Sequence, residues 1–312
     1  MKRTTYLSIM AALAALSLGS LVQAADQTDQ TTRPRSRDRS FNATTTSSTS
    51  SDRTFGQIER WNRLKGREVT GTDNQKLGKL EDTAVDLESG HILYAIVGSG
   101  GVLGAGEKKF ALAPGAFTDA TGNNLRFNGD KAKFNGAPEF TKDMDKNTEL
   151  GKAEFVNNVY QYFGQTAWWQ GPNAPASAGQ FNNVHKSSDL MGQNVKNVAD
   201  EDMGKVDNVM LNLPSGRVAY LILSPATGLG LGNNLYALPP NAFSINKDGK
   251  SLTSDVTKEK LAGAPHFDKN NWAQISDPAW AAQVYQYYGK QAYFDTTSST
   301  LQPTGRSSET NK

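Results

Sequence analysis

Val85-Asp86-Leu87-Glu88-Ser89-Gly90-His91-Ile92-Leu93-Tyr94-Ala95-Ile96 is the stretch from which the fold can be read. Val85 and Leu87 alternate with polar neighbours, Glu88-Ser89-Gly90 supplies a turn, and Ile92, Tyr94 and Ile96 alternate again. The pattern predicts a β-hairpin with one buried face, Gly90 providing the positive φ such turns often need. The same grammar recurs where Leu213-Pro214-Ser215-Gly216 turns the chain ahead of Tyr220 and Ile222. Outward from the two hairpins, residues 64–97 align without a gap onto residues 190–223 at a constant offset of 126. Ten positions in that window are identical, among them Gly66/Gly192, Gly78/Gly204, Lys79/Lys205 and Tyr94/Tyr220, so the chain is an internal duplication.

The match continues beyond the hairpins. Phe110-Ala111-Leu112 and Tyr236-Ala237-Leu238 read as a further strand in each copy, stopped by Pro114 and Pro240. Gly136-Ala137-Pro138 matches Gly263-Ala264-Pro265, and Val159-Tyr160-Gln161-Tyr162-Phe163-Gly164 matches Val284-Tyr285-Gln286-Tyr287-Tyr288-Gly289. Each copy ends in an amphipathic helix. In the second, Asp277 caps, Pro278 takes the first helical position and Gly289 stops it. Trp280, Val284 and Tyr287 or Tyr288 fall on one face, as do Phe155, Val159 and Tyr162 or Phe163 in the first copy. These aromatics are expected to pack on the β-structure.

The 312 residues, 37% hydrophobic and 21% charged, suit a soluble protein of about two domains. The formal net charge of +2 comes from Lys2 and Arg3, which leaves no global field to draw nucleic acid or anionic lipid. The absence of cysteine excludes disulfides, thiolate nucleophiles, Cys-ligated zinc, iron–sulfur clusters and a Cys-linked lipid anchor. Residues 1–24 combine a basic start, an apolar stretch and Val22-Gln23-Ala24, the three parts of a secretory signal peptide cleaved near Ala24. Export to the periplasm or beyond follows, with retention of the leader as an anchor as the alternative. Residues 25–56 are rich in Ser, Thr and Arg, have almost nothing apolar to bury and are expected to form a disordered tether. The tail, residues 295–312, has the same character. Between them the expected order is a first repeat with its helix over 57–170, a linker over 171–186, and a second repeat with its helix over 187–294.

At Leu64-Lys65-Gly66-Arg67-Glu68-Val69, Lys76-Leu77-Gly78-Lys79-Leu80-Glu81-Asp82, Val85-Asp86-Leu87-Glu88-Ser89-Gly90 and the glycine-spaced run 100–108, the sequence resembles the PRC-barrel family. That family is named for the photosynthetic reaction centre H subunit. The second copy keeps Leu190-Met191-Gly192, Met203-Gly204-Lys205-Val206, Leu213-Pro214-Ser215-Gly216 and Gly228-Leu229-Gly230-Leu231-Gly232. The resemblance implies a mainly β protein with some α, built as two tandem small six-stranded-type β-barrels. It also implies an adaptor role and brings no catalytic residues with it.

Gly106 is followed by Glu107, which puts an anion where a P-loop needs Lys, and the glycines precede a strand where a dinucleotide fingerprint needs a helix. His91, His185 and His266 are scattered, so no metal site is expected, and no cofactor. Asp82, Asp86 and Glu88 become Asn208, Asn212 and Pro214 in the second copy, so the duplication keeps no acid pair. No Gly-x-Ser-x-Gly motif appears. Four sets of residues stand out for partner contact. Lys79 and Lys205 match between the copies and either present charge or shield a strand edge. Trp168 and Trp169, with Tyr293 and Phe294, suit an interface between the copies, and Arg33, Arg35, Arg37 and Arg39 suit peripheral contact with an anionic surface. The expected function is a non-catalytic adaptor that binds another envelope protein. One alternative is a small-ligand binder or enzyme with a pocket between the barrels, lined by Trp61, Trp168, Trp169 and Trp272; another is a structural or stress-related envelope protein.

Overall fold

The computed structural model describes residues 55–100, 106–120, 122–145, 147–170, 179–245 and 251–294. The leader, Arg33, Arg35, Arg37, Arg39 and the tail at 295–312 lie outside the described residues. In the first copy the strands are β1 (Glu59–Arg60), β2 (Glu68–Thr70), β3 (Lys76–Asp86), β4 (His91–Ser99), β5 (Lys108–Leu112), β6 (Phe117–Asp119) and β7 (Leu125–Phe127). In the second they are β8 (Val184–Lys186), β9 (Asn194–Asn197), β10 (Asp202–Asn212), β11 (Arg217–Pro225), β12 (Asn234–Leu238), β13 (Phe243–Ile245), β14 (Leu252–Ser254) and β15 (His266–Asp268). Short helices α1 (Trp61–Leu64), α2 (Lys131–Asn135), α3 (Asn147–Leu150), α5 (Ser187–Leu190) and α6 (Lys258–Ala262) punctuate them. The longer α4 (Ala153–Tyr162) and α7 (Pro278–Tyr288) close the two copies.

Six strands in each copy pair in one order, β5-β4-β3-β2-β7-β6 in the first and β12-β11-β10-β9-β14-β13 in the second. β5 and β6 stand at opposite ends of their ladder, yet the single turn Pro114–Ala116 joins them. Such a connection requires the sheet to curl back on itself, and Pro240–Ala242 does the same between β12 and β13. The six-stranded barrel implied by the resemblance is therefore present twice. The hairpin turns lie where the sequence puts them, with Gly90 at φ +69° and Gly216 at φ +66°.

The copies do not stand side by side as independent beads. The leading strand of each crosses to the other: β1 pairs with β10, and β8 with β3. At the centre Arg217 stands opposite His91, Ile92 N–H donates to Gly216 O at 2.8 Å, and Val218 N–H donates to Gly90 O at 2.9 Å. These reciprocal contacts make one continuous sheet with pseudo-twofold symmetry. Two boundaries shift accordingly. The segment expected as a linker carries β8 in its last three residues. The segment expected as a tether includes, next to its end, Phe55, which is 3% exposed and packs on Phe294 and Tyr220 of the second copy.

The expectation of one buried face per hairpin is overturned, because β4 is buried along almost its whole length. Val85, Leu87, Ile92, Ala95 and Val97 face the barrel core, while Ala84, Leu93, Tyr94 and Ile96 face a second cluster under α4, with Leu150, Val156 and Val159. Ile92 and Tyr94 part company because a bulge places Leu93 as an extra residue between the pairs Ala84↔Tyr94 and Val85↔Ile92. Helix α7 is built as read, with Asp277 accepting from Ala279 N–H at 2.7 Å and Gly289 in the left-handed region. Matching tyrosines tie α4 to α2 and α7 to α6. Tyr162 Oη donates to Lys133 O and Tyr287 Oη to Lys260 O, both at 2.6 Å. Among the described residues no helix is long and apolar enough to cross a membrane.

Candidate functional site

A cleft of about 710 Å³ opens on the first repeat over the strand that carries Lys79. Its floor is β3 and β4, where Gly78 and Gly98 leave bare backbone. The glycines are required by close approach, since a Cβ at Gly78 would fall inside the radius of the Gly98 carbonyl oxygen. A second bulge shapes the wall: Leu80 pairs with Val97 and Asp82 with Ile96, leaving Glu81 as the extra residue. Bulges re-aim side chains in this way beside binding sites.

Charged groups from five segments meet in the cleft. Glu81 is bound by Lys109 of β5 at 2.5 Å. Its carboxylate also faces Glu107, and that contact, with smaller contributions from burial and like charge, pushes Glu107 above the usual carboxylate range. Lys109 is pushed up in turn, chiefly by its hydrogen bond to Glu81. Further back, Lys186 arrives from β8 of the second copy and pairs with Asp145 at 2.9 Å and Asp189 at 3.6 Å. Burial opposes its charge, but those carboxylates and Asp82 together outweigh burial and raise the ammonium pKa. Asp82 is buried and holds the crossing segment directly, accepting from Ser188 N–H at 3.1 Å, from the Ser188 hydroxyl, and from Thr83 N–H at 2.9 Å. Burial raises its pKa despite those hydrogen bonds. Next to it the Thr83 and Ser187 hydroxyls meet at 2.6 Å.

At the rim, Lys79 and Lys65 are exposed. Lys79 is not guarding an edge, since β3 is paired there on both sides, to Glu68 and to Gly98. The edge-shielding expectation is thereby corrected, and Lys205 is likewise flanked by Asn194 and Ser224. The second copy keeps the bulge, with Asp207 as the extra residue between the pairs Val206↔Leu223 and Asn208↔Ile222, but changes the lining. Met191 stands for Lys65, Asn208 for Asp82 and Leu235 for Lys109. Arg60, which matches Lys186, lies 4.4 Å over the Trp272 ring where the first copy has an ion pair. The counterpart on the second copy thus keeps Arg60, Lys205 and Asp207 at the matching positions but loses the charges of Lys65, Asp82 and Lys109.

The aromatic expectations divide. Trp168 stacks on His91 at 3.7 Å and Tyr293 lies under the Arg217 guanidinium at 5.5 Å, so the two cap opposite sides of the central seam. Trp169 packs on Phe181 at 5.1 Å, as Phe294 packs on Phe55 at 4.6 Å, each gripping a crossing segment. A shared tryptophan cleft does not form. Trp61 is 1% exposed in the main core, Trp168 is on the seam, Trp169 lies in the smaller cluster and Trp272 packs on Phe267. Asp82 and Asp86 also do not pair, because Asp86 accepts from the Ser89 amide at 3.1 Å within its own turn. Among the described residues no group of three His, Asp or Glu side chains converges as a metal site.

Sequence reading missed Lys65, Glu81, Glu107, Lys109, Asp145 and Lys186. A signal existed for Lys65 and Lys109, where the copies differ in charge; for Lys186 there was none, because strand crossing leaves no local pattern. The model of the PRC-barrel domain matches residues 57–132 and again 182–261, so each match begins with the crossing segment. No curated protein matches the chain. With half its length covered by two successive matches, and with each match folded as the six-stranded barrel described above, the chain belongs to the PRC-barrel domain family as a tandem pair.

Proposed function

We propose that the chain is an exported, non-catalytic binding protein of the periplasm or envelope, in which the charged cleft of the first repeat receives a protein partner. The second repeat braces that cleft by supplying Lys186, Ser187 and Ser188. The observation that carries this reading is the divergence of two copies of one scaffold: the Lys109–Glu81 ion pair and the charges of Lys65 and Asp82 belong to the first alone. Its acids and bases neutralise one another in pairs, an arrangement suited to recognising charge on a partner rather than to making or breaking bonds. A second reading, a small charged ligand, draws on the cleft's volume of about 710 Å³, which lies in the range of ligand pockets.

The test is capture from an envelope extract with residues 25–312 as bait, comparing Lys79→Trp with Lys205→Trp. Bulk at the cleft rim is expected to remove a partner that the Lys205 variant retains. Equal capture by both variants overturns the assignment to the cleft. A bait trimmed of its polar segment must keep Phe55, or the second repeat loses a core residue. N-terminal sequencing of the envelope protein, expected to begin at Ala25, tests export.

A further inference from the structure

Resting on the cleft reading, we infer that the group received at its rim is a carboxylate of an acidic peptide segment, held between Lys65 and Lys79. Three observations lead there. The first is charge accounting. Glu81 is taken by Lys109, Asp145 by Lys186, and Lys76 by Glu68 at 2.7 Å. That last pair matters, because Glu68 stands opposite Lys79 in the β2–β3 ladder and is its natural partner. Lys65 and Lys79 are left without a carboxylate among the described residues, so the unmet demand at the rim is for negative charge.

The second observation is that the two cations are held together. Gly66 N–H donates to Leu80 O at 2.7 Å and Leu80 N–H to Arg67 O at 2.9 Å. These bonds fix the residue after Lys65 beside the residue after Lys79, and both lysines line the cleft. The third is the acid behind them. Glu107 faces Glu81, and that contact holds it above the usual carboxylate range; both line the cleft. Glu81, Asp82 and Asp145, lining the same cleft, disfavour a dianion such as phosphate more than a single carboxylate. The second copy provides an internal control, since Lys205 stands beside Met191, not beside a second lysine.

The test is an amide NMR titration of residues 25–312 with three probes: a tri-glutamate peptide, inorganic phosphate and a tri-lysine peptide. Tri-glutamate is expected to shift Lys65, Gly66, Lys79 and Leu80 and to leave Lys205 unmoved. The shift should weaken as salt rises past roughly 0.15 M, where the screening length is about 8 Å. The double variant Lys65→Glu/Lys79→Glu should bind at least tenfold more weakly, and Lys205→Glu as the wild type does. Unchanged near-UV circular dichroism shows that the double variant is folded. Preference for phosphate overturns the carboxylate assignment in favour of phosphorylated envelope lipid. Shifts at Glu81 and Glu107 with tri-lysine alone overturn the inference but leave the cleft as a binding site. No shift in the cleft with any probe counts against both.

Discussion

Phe55→Ala should weaken the second repeat, although Phe55 precedes the first in the chain. Phe55 is 3% exposed and touches Phe294 at 4.6 Å, Tyr220 at 5.9 Å and Tyr293 at 6.3 Å. Truncating a buried Phe to Ala costs about 3–5 kcal/mol, a figure that already contains the aromatic contacts. For a unit of this size each kcal/mol lowers the melting temperature by about 2–4 °C, so the expected fall is roughly 6–20 °C in calorimetry. The location is more diagnostic than the size. Native-state hydrogen exchange should show lost protection in β10 and β11, at Val209, Met210 and Leu221, before β3 and β4 respond. Phe181→Ala, which removes the matching contact with Trp169, should give the mirror result with β3 and β4 affected first. A fall below about 2 °C for Phe55→Ala, or first loss of protection in β3 and β4, would refute the crossing of the leading segments.

Gly78→Ala places a Cβ against the Gly98 carbonyl oxygen, backbone against backbone, and should cost about 1–3 kcal/mol or more in denaturant unfolding. Lys79→Ala one residue on, at an exposed position, should stay within about 0.5 kcal/mol. Asp82 titrates higher folded than unfolded, so its contribution is fully present below its unfolded pKa and lost as pH rises through the folded value. Asp82→Asn, which installs the residue of the second copy, should therefore flatten the decline in stability from about pH 4 towards neutrality; an unchanged slope would assign that decline to other groups. His91→Ala unstacks Trp168, and a change in tryptophan emission is expected with it.

What could be read in the sequence was local or periodic. The duplication, the two turns, the strand ended by Pro114 and the caps of α7 each rest on a few adjacent residues whose chemistry sets backbone geometry. The second buried face was hidden because β4 has apolar residues on both sides of the bulge at Leu93, and a bulge breaks the period of two on which the face assignment depends. The crossing of β1 and β8 was illegible for a different reason. In a duplicated chain, a leading strand finds chemically similar edges in its own copy and in the other, and only the geometry of the whole sheet chooses. The cleft depends on that choice, since Lys186 and Ser188 reach Asp145 and Asp82 across it. Lys79 was singled out from its identity in both copies, yet the difference between the copies is what gives it a setting.

A photo-crosslinking amino acid placed at position 79, and separately at position 205, in the full-length chain inside living cells tests the central claim most directly. A discrete protein adduct is expected from position 79, lost when Lys65 is reversed to Glu, and none from position 205. Adducts of equal yield from both positions, or none from position 79, would contradict a binding cleft on the first repeat.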